Sequence, residues 1–135
     1  MEFVSCTPKA GDIIRTKRVF YYHYGIFISE DEVIQFGLAD NVNREANEVF
    51  VLSSDIYTFM GDDSVEVGVP NHKEKKKMKS VNDIISTARS RIGEGGYDFL
   101  HNNCEHFVNE CVFSTHESSF MDEIRSRIRK KLNKD

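Results

Sequence analysis

The 135-residue chain lacks any apolar run approaching the ~20 residues of a membrane span. Lys9, Asp12 and Arg15 interrupt its first stretch, so no signal peptide is legible there and a cytosolic compartment is expected. Cysteine is scarce. Cys6, Cys104 and Cys111 form an odd set at irregular spacing, which makes a poor disulfide framework and lacks zinc-ligand spacing. An excess of basic charge is also missing: the net charge of −4 argues against general nucleic-acid binding. No internal repeat and no domain boundary is visible. The length suits one core, and 39% apolar with 30% charged residues is ordinary for a soluble globular protein.

What is present reads as a β-rich half followed by a helical half. Residues 1–10 look irregular, and Gly11-Asp12 turns into a first strand, Ile13 to Arg18. Residues 19–29 (VFYYHYGIFIS) are the strongest predicted strand, dense in aromatic and β-branched side chains. Glu30-Asp31 turns the chain back into Glu32 to Phe36. Residues 37–47 read as loop. Glu48 to Leu52 and Ser64 to Val69 read as further strands around a segment from Ile56 to Met60, and Pro70 ends this half. Residues 71–79 form a solvated, lysine-rich connection. Ser80 then caps a helix carrying Val81, Ile84, Ile85, Ala88 and Ile92 at helical spacing, with Gly93 as its stop. A second helix is predicted from about Asn103 to Phe113, and a third from about Ser119 to Leu132 with Phe120, Ile124, Ile128 and Leu132 at steps of four. Strands followed by helices predict an α+β fold: an antiparallel sheet of about four to six strands packed on one side against helices. One domain over residues 1–135 is expected, with 119–135 as a basic C-terminal helix.

The chemistry concentrates at Asn103-Cys104-Glu105-His106-Phe107. Cys104 opens the second helix, with Asn102 and Asn103 as available caps. A helix start carries unpaired N–H groups and partial positive charge, and both favour the nucleophilic thiolate. Cys111, two turns on, is too far to bridge to Cys104 and reads as a buried small apolar residue. Of the histidines, His106 is two residues from Cys104 and faces elsewhere on the helix. His101 lies just outside it, His72 sits among lysines and His116 lies past the helix end. His23 stands on the aromatic strand, where alternation groups it with Tyr21, Gly25 and Phe27. Gly25, without a side chain, leaves room for a helix end or a substrate to approach. Cysteine with a distant histidine points to nucleophilic catalysis. Gln35, on the adjacent strand, is the candidate to orient the imidazole. Parity and register decide whether it shares the face of His23; a tight hairpin separates the two, and a bulge or longer turn brings them together.

Tyr22-His23-Tyr24-Gly25-Ile26, Val33-Ile34-Gln35-Phe36 and the NCEHF pentapeptide resemble the lecithin retinol acyltransferase-like family, which includes the phospholipase A/acyltransferases and belongs to the papain-like thiol superfamily. Gly11-Asp12 matches its opening strand, and the resemblance spans about residues 8 to 118. It implies a permuted papain-like fold, with Cys104 as nucleophile, His23 as general base and residue 35 as third polar group. The family usually has histidine at that last position. Gln35 can orient His23 but cannot titrate or stabilise charge as well, which bears on rate more than on mechanism. The implied cycle transfers an acyl group from a glycerophospholipid to the Cys104 thiolate, with helix-start N–H groups holding the oxyanion. His23 protonates the leaving alkoxide. Water then resolves the thioester as a phospholipase, or an amine or lysophospholipid resolves it as an acyltransferase. No cofactor or metal is implied. Tyr21, Gly25 and Asn103 are expected around the substrate. Vertebrate members often carry a C-terminal membrane anchor; this chain is expected to be a stand-alone soluble version.

Two other functions fit the same residues. One is a cysteine peptidase or amidase of the same superfamily, which the absent export signal and the NCEHF wording disfavour. The other is a non-catalytic interaction module resembling picornaviral H-box/NC proteins, against which intact Cys104 and His23 weigh. Arg125, Arg127, Arg129, Lys130 and Lys131 surround the stripe Ile124, Ile128 and Leu132 on the third helix. That helix either packs on the domain or, with the run from Lys73 to Lys79, makes peripheral contact with an anionic membrane. The sequence leaves the oligomeric state open.

Overall fold

The aromatic run lies inside one six-stranded antiparallel sheet. The computed structural model describes residues 1–38, 44–114 and 119–132, the side chains of 119–125 excepted. His116, Lys134 and the side chains of Phe120, Ile124 and Arg125 therefore lie outside the described residues, as does part of the predicted loop 37–47. The strands are β1 (Glu2–Val4), β2 (Ile13–Lys17), β3 (Tyr22–Ser29), β4 (Glu32–Phe36), β5 (Val51–Ser54) and β6 (Glu66–Val69), in the order β1-β6-β2-β3-β4-β5. The helices are α1 (Ile56–Met60), α2 (His72–Lys75), α3 (Val81–Ser90), α4 (Cys104–Phe113) and α5 (Ser119–Leu132). The class is α+β, as expected.

Several expectations shift. Residues 2–4 are an edge strand paired with β6, not irregular chain. The β3 strand begins three residues later than predicted, because Arg18 N–H donates to Tyr21 O at 2.8 Å and closes a hairpin whose tip is Val19-Phe20. The lysine-rich connection contains α2, held by a reciprocal cap between Asn71 and Glu74. Ser80 caps α3 by accepting from Asp83 N–H.

Helices cover both sheet faces, not one. On one face Tyr24, Ile26, Ile34 and Phe36 meet Ile84 and Ala88 of α3 and Phe107, Val108, Cys111 and Val112 of α4. On the other, Ile14, Phe27, Val33 and Val67 close over Phe59 of α1. Strand alternation sorts these sets, since neighbouring residues point to opposite faces. Arg89 of α3 makes a two-pronged bond to Glu32, at 2.8 and 2.7 Å, at the start of β4. The Arg89 end is open to solvent, so screening leaves the pair little weight in stability. Side chains 126–132 of α5 are exposed, including Ile128 and Leu132.

Candidate active site

The local sequence accounts for the position of Cys104. Asn103 adopts extended backbone, and its Oδ1 accepts from Glu105 N–H at 2.9 Å and His106 N–H at 3.1 Å. His106 answers by accepting the Asn103 N–H on Nδ1 at 2.9 Å. This is a capping box with histidine in the place that glutamate or glutamine usually fills. His106 is therefore a buried structural partner of the helix start, a role that sequence reasoning missed. Asn103 Nδ2 donates to Phe99 O at 2.9 Å, tying the preceding loop to the cap. Although predicted to contact substrate, the Asn103 amide is largely committed to holding α4 in place.

On the sheet, a β-bulge sets the geometry. The β3–β4 ladder pairs Ser29 with Glu32, then slips at Ile28, so that Phe27 faces Val33 and Gly25 faces Gln35. Without the extra residue Gln35 would lie opposite Ile26 and point to the other face. With it, Gln35 shares the face of His23, and His23 Nε2 lies 2.7 Å from Gln35 Oε1. Gln35 Nε2–H donates to Ser54 Oγ at 2.6 Å, and Ser54 Oγ–H donates to Asp55 O at 2.9 Å. A backbone carbonyl can only accept, so the polarity of the whole chain follows from its end. Ser54 gives its proton to Asp55 O, Gln35 presents its NH2 to Ser54, and its carbonyl oxygen meets an N–H on His23 Nε2. The neutral ring thus keeps its lone pair on Nδ1. Both His23 and Gln35 are fully buried, and the imidazole lies against Phe59 with ring centroids 5.2 Å apart.

Gly25 does something other than predicted. A Cβ there would lie 2.8 Å from Phe59 Cε2 and 3.1 Å from Val33 Cγ1. The missing side chain makes room for the Phe59 ring, not for substrate or a helix end.

Cys104 meets β3 at the two chain neighbours of His23. Its Sγ lies 3.9 Å from Tyr22 O, and the Tyr24 N–H bonds to the sulfur. The helix-start argument does not decide its acidity. Burial pushes the thiol up to about 12, and the nearby Glu105 charge adds to this. Hydrogen bonds from the N–H groups of Tyr24, Cys104 and Glu105 pull the other way, and desolvation outweighs them. At 3% exposure the sulfur has lost most of its water, and a few backbone dipoles do not replace it. Cys111 is fully buried, with its thiol pushed up to about 11. All three cysteines are free.

Cys104, Asn103 and Tyr21 line one cavity of about 510 Å³. Tyr22, Tyr97 and Phe99 give it aromatic walls, the exposed Lys17 and Arg127 put cations on its rim, and Arg18, paired with Asp63, and the buried Glu105 also line it. Tyr21 stacks edge-on against Phe99. The Arg15 guanidinium is held between the Phe3 and Tyr22 rings and bonded to Glu66 at 2.8 Å. Among the described residues no group of His, Cys, Asp and Glu is arranged to hold a metal ion.

Residues 6–117 match the family model described as lecithin retinol acyltransferase. The chain belongs to that family. Relatives include human Phospholipase A and acyltransferase 3, 29% identical over 131 residues that cover 90% of this chain and 78% of that protein. Phospholipase A and acyltransferase 1 of Mus musculus is 30% identical over 112 residues, 75% of this chain and 65% of that protein. Lecithin retinol acyltransferase of Bos taurus is 26% identical over 125 residues, and the match spans 54% of its length. The NCEHF motif and the His23 strand both fall within the matched region. No helix among the described residues is long and apolar enough to cross a membrane.

Proposed function

We propose that this chain catalyses thiol-dependent acyl transfer from glycerophospholipids through a thioester on Cys104. The observation that carries the reading is the placement of Cys104. The thiol stands at a capped helix start, against the β3 backbone on both sides of His23, on a cavity with aromatic walls and a cationic rim. The walls suit an acyl chain and the rim suits a phosphodiester. The names of the relatives, phospholipase A and acyltransferase, support the same class.

Each residue has a defined part. The thiol rests protonated, since burial holds it so. His23 takes its proton on Nδ1 as Sγ attacks the ester carbonyl, with Gln35 fixing the ring through Nε2–H. The cap takes up the Glu105 and His106 N–H groups, and the Cys104 N–H, which faces its own sulfur at rest, turns to the oxyanion as Sγ bonds to carbon. Protonated His23 then gives its proton to the leaving lysophospholipid alkoxide, and the acyl group stays on sulfur. Water resolves the thioester as a phospholipase, and an amine or lysophospholipid resolves it as an acyltransferase. Tyr21 lines the acyl path. We take residues 1–135 as one catalytic domain, 119–135 being its basic C-terminal helix. The protein works in the cytoplasm, peripherally at anionic membranes.

The test is release of fatty acid and lysophospholipid from detergent-dispersed phosphatidylcholine, with variants beside the wild type. Cys104→Ala, Cys104→Ser and His23→Ala are expected to abolish turnover with folding retained in circular dichroism. Turnover that survives Cys104→Ala would refute the proposal.

A further inference from the structure

We infer that the β2–β3 hairpin tip is a membrane-insertion element that seats the mouth of the Cys104 cavity on an anionic phospholipid bilayer. The inference rests on the lipid-substrate reading above and names the surface that reading needs.

Two-residue hairpin tips favour Asn, Asp and Gly, which supply turn conformations and stay hydrated. Here the tip is Val19-Phe20, with relative exposures of 88% and 79%. Neither residue serves the turn, and neither is covered. Leaving the Val19 methyls and the Phe20 ring in water is unfavourable unless something buries them. Both also line the cavity that holds Cys104, so whatever takes up the tip lies at the cavity mouth.

The surroundings identify the occupant. Lys17 and Arg18 flank the tip in sequence, and Arg127 reaches the same cavity from α5. On α5 the apolar pair Ile128 and Leu132 is exposed, interleaved with Arg129, Lys130 and Lys131. Arg18 is held by the Phe59 carbonyl and paired with Asp63, and Glu105 lies in the same cavity, so the exposed cations beside the apolar groups are Lys17 and Arg127 with Arg129, Lys130 and Lys131, on a chain of net charge −4. That combination matches anionic headgroups above an apolar layer. A second copy fits less well, because a two-fold contact through this face would bring the same cations against each other. Seating the tip at the level of the ester groups would bring the scissile carbonyl to the mouth with little lift out of the bilayer.

The chain contains no tryptophan, so Phe20→Trp introduces a single indole reporter. The probe is vesicles of phosphatidylcholine with and without phosphatidylglycerol. The control is Val69→Trp, exposed at the end of β6 that lies away from Lys17 in the β2–β6 register. Phe20→Trp is expected to shift to the blue on anionic vesicles and to be quenched by brominated lipid, while Val69→Trp stays unchanged. Val19→Ser with Phe20→Ser is expected to weaken co-flotation about tenfold or more, with an unaltered melting curve. An unshifted Phe20→Trp, or a double variant that floats like the wild type, would overturn the inference. A shift without vesicles that grows with protein concentration would overturn it in favour of a second copy. These readouts need no turnover. A failed acyl-transfer assay with intact vesicle insertion therefore counts against the proposed reaction alone, and the converse pattern counts against this surface alone.

Discussion

At the scale of single residues, the site is a polarised hydrogen-bond chain that ends on the His23 ring, with a protonated thiol against the strand backbone on both sides of that histidine. Asp55 O, Ser54, Gln35 and His23 are linked so that the acceptor at one end dictates the tautomer at the other. Ser54 touches no reacting group, so it is a positioning residue. Removing its hydroxyl frees the Gln35 amide to turn over, which would offer N–H to His23 and move the lone pair to the wrong nitrogen. Ser54→Ala is expected to lower kcat about tenfold, the equivalent of one hydrogen bond, with KM little changed and Ser54→Thr restoring most of it. Gln35→His is expected to preserve or raise kcat. A silent Gln35→Ala beside a harmful Gln35→His would remove residue 35 from the orienting role. Cys104 and His23 stood out in the sequence as candidate nucleophile and base because their residue types and motif are distinctive, and the structure sets Cys104 beside the β3 backbone on both sides of His23. The facing of Gln35 was not, because it hangs on a bulge at Ile28 that no turn residue announces. The acidity of Cys104 was misread for a related reason. A helix start is a local feature, whereas the burial that outweighs it is set by the strand packed across it.

At the scale of elements, the sheet has two covered faces that do different work. The α4 face supplies most of the core, with Cys104 at the helix start meeting the edge of the β3 backbone beside His23, and the α1 face holds the His23 ring against Phe59. Gly25 lets the Phe59 ring approach β3. Gly25→Ala should therefore cost about 1–3 kcal/mol by overpacking, seen as a lowered melting temperature. Adding Phe59→Leu, a flexible group in place of the ring, is expected to recover part of that loss, since residues in contact do not behave additively. A neutral Gly25→Ala would contradict the close packing described. The strands and helices that carry long periodic patterns were legible. β1 was not, being three residues on an edge, where alternation has no length to show itself. The purpose of Gly25 was hidden too, because the ring that fills its space comes from another element.

At the scale of the whole molecule, the fold keeps two buried thiols neutral. Folded Cys104 and Cys111 hold their protons to about 12 and about 11, against an ordinary value of 9.0 when exposed. Above pH 9 the unfolded chain releases protons that the folded chain retains, so stability falls as pH rises through this window. Urea midpoints are expected to decline from pH 9 to 11, and Cys111→Ala should flatten that decline while lowering stability at neutral pH. A midpoint independent of pH over this range would contradict the burial of the thiols. The α+β class was legible from the order of strands and helices, whereas the covering of both faces needed the structure.

The central claim is a covalent acyl group on one cysteine. The most direct measurement is intact-protein mass spectrometry after mixing with phosphatidylcholine vesicles, wild type beside Cys104→Ala. An acyl-sized adduct on wild type alone, removed by hydroxylamine, is the predicted result. No adduct on wild type, with no fatty acid or lysophospholipid released, would contradict it.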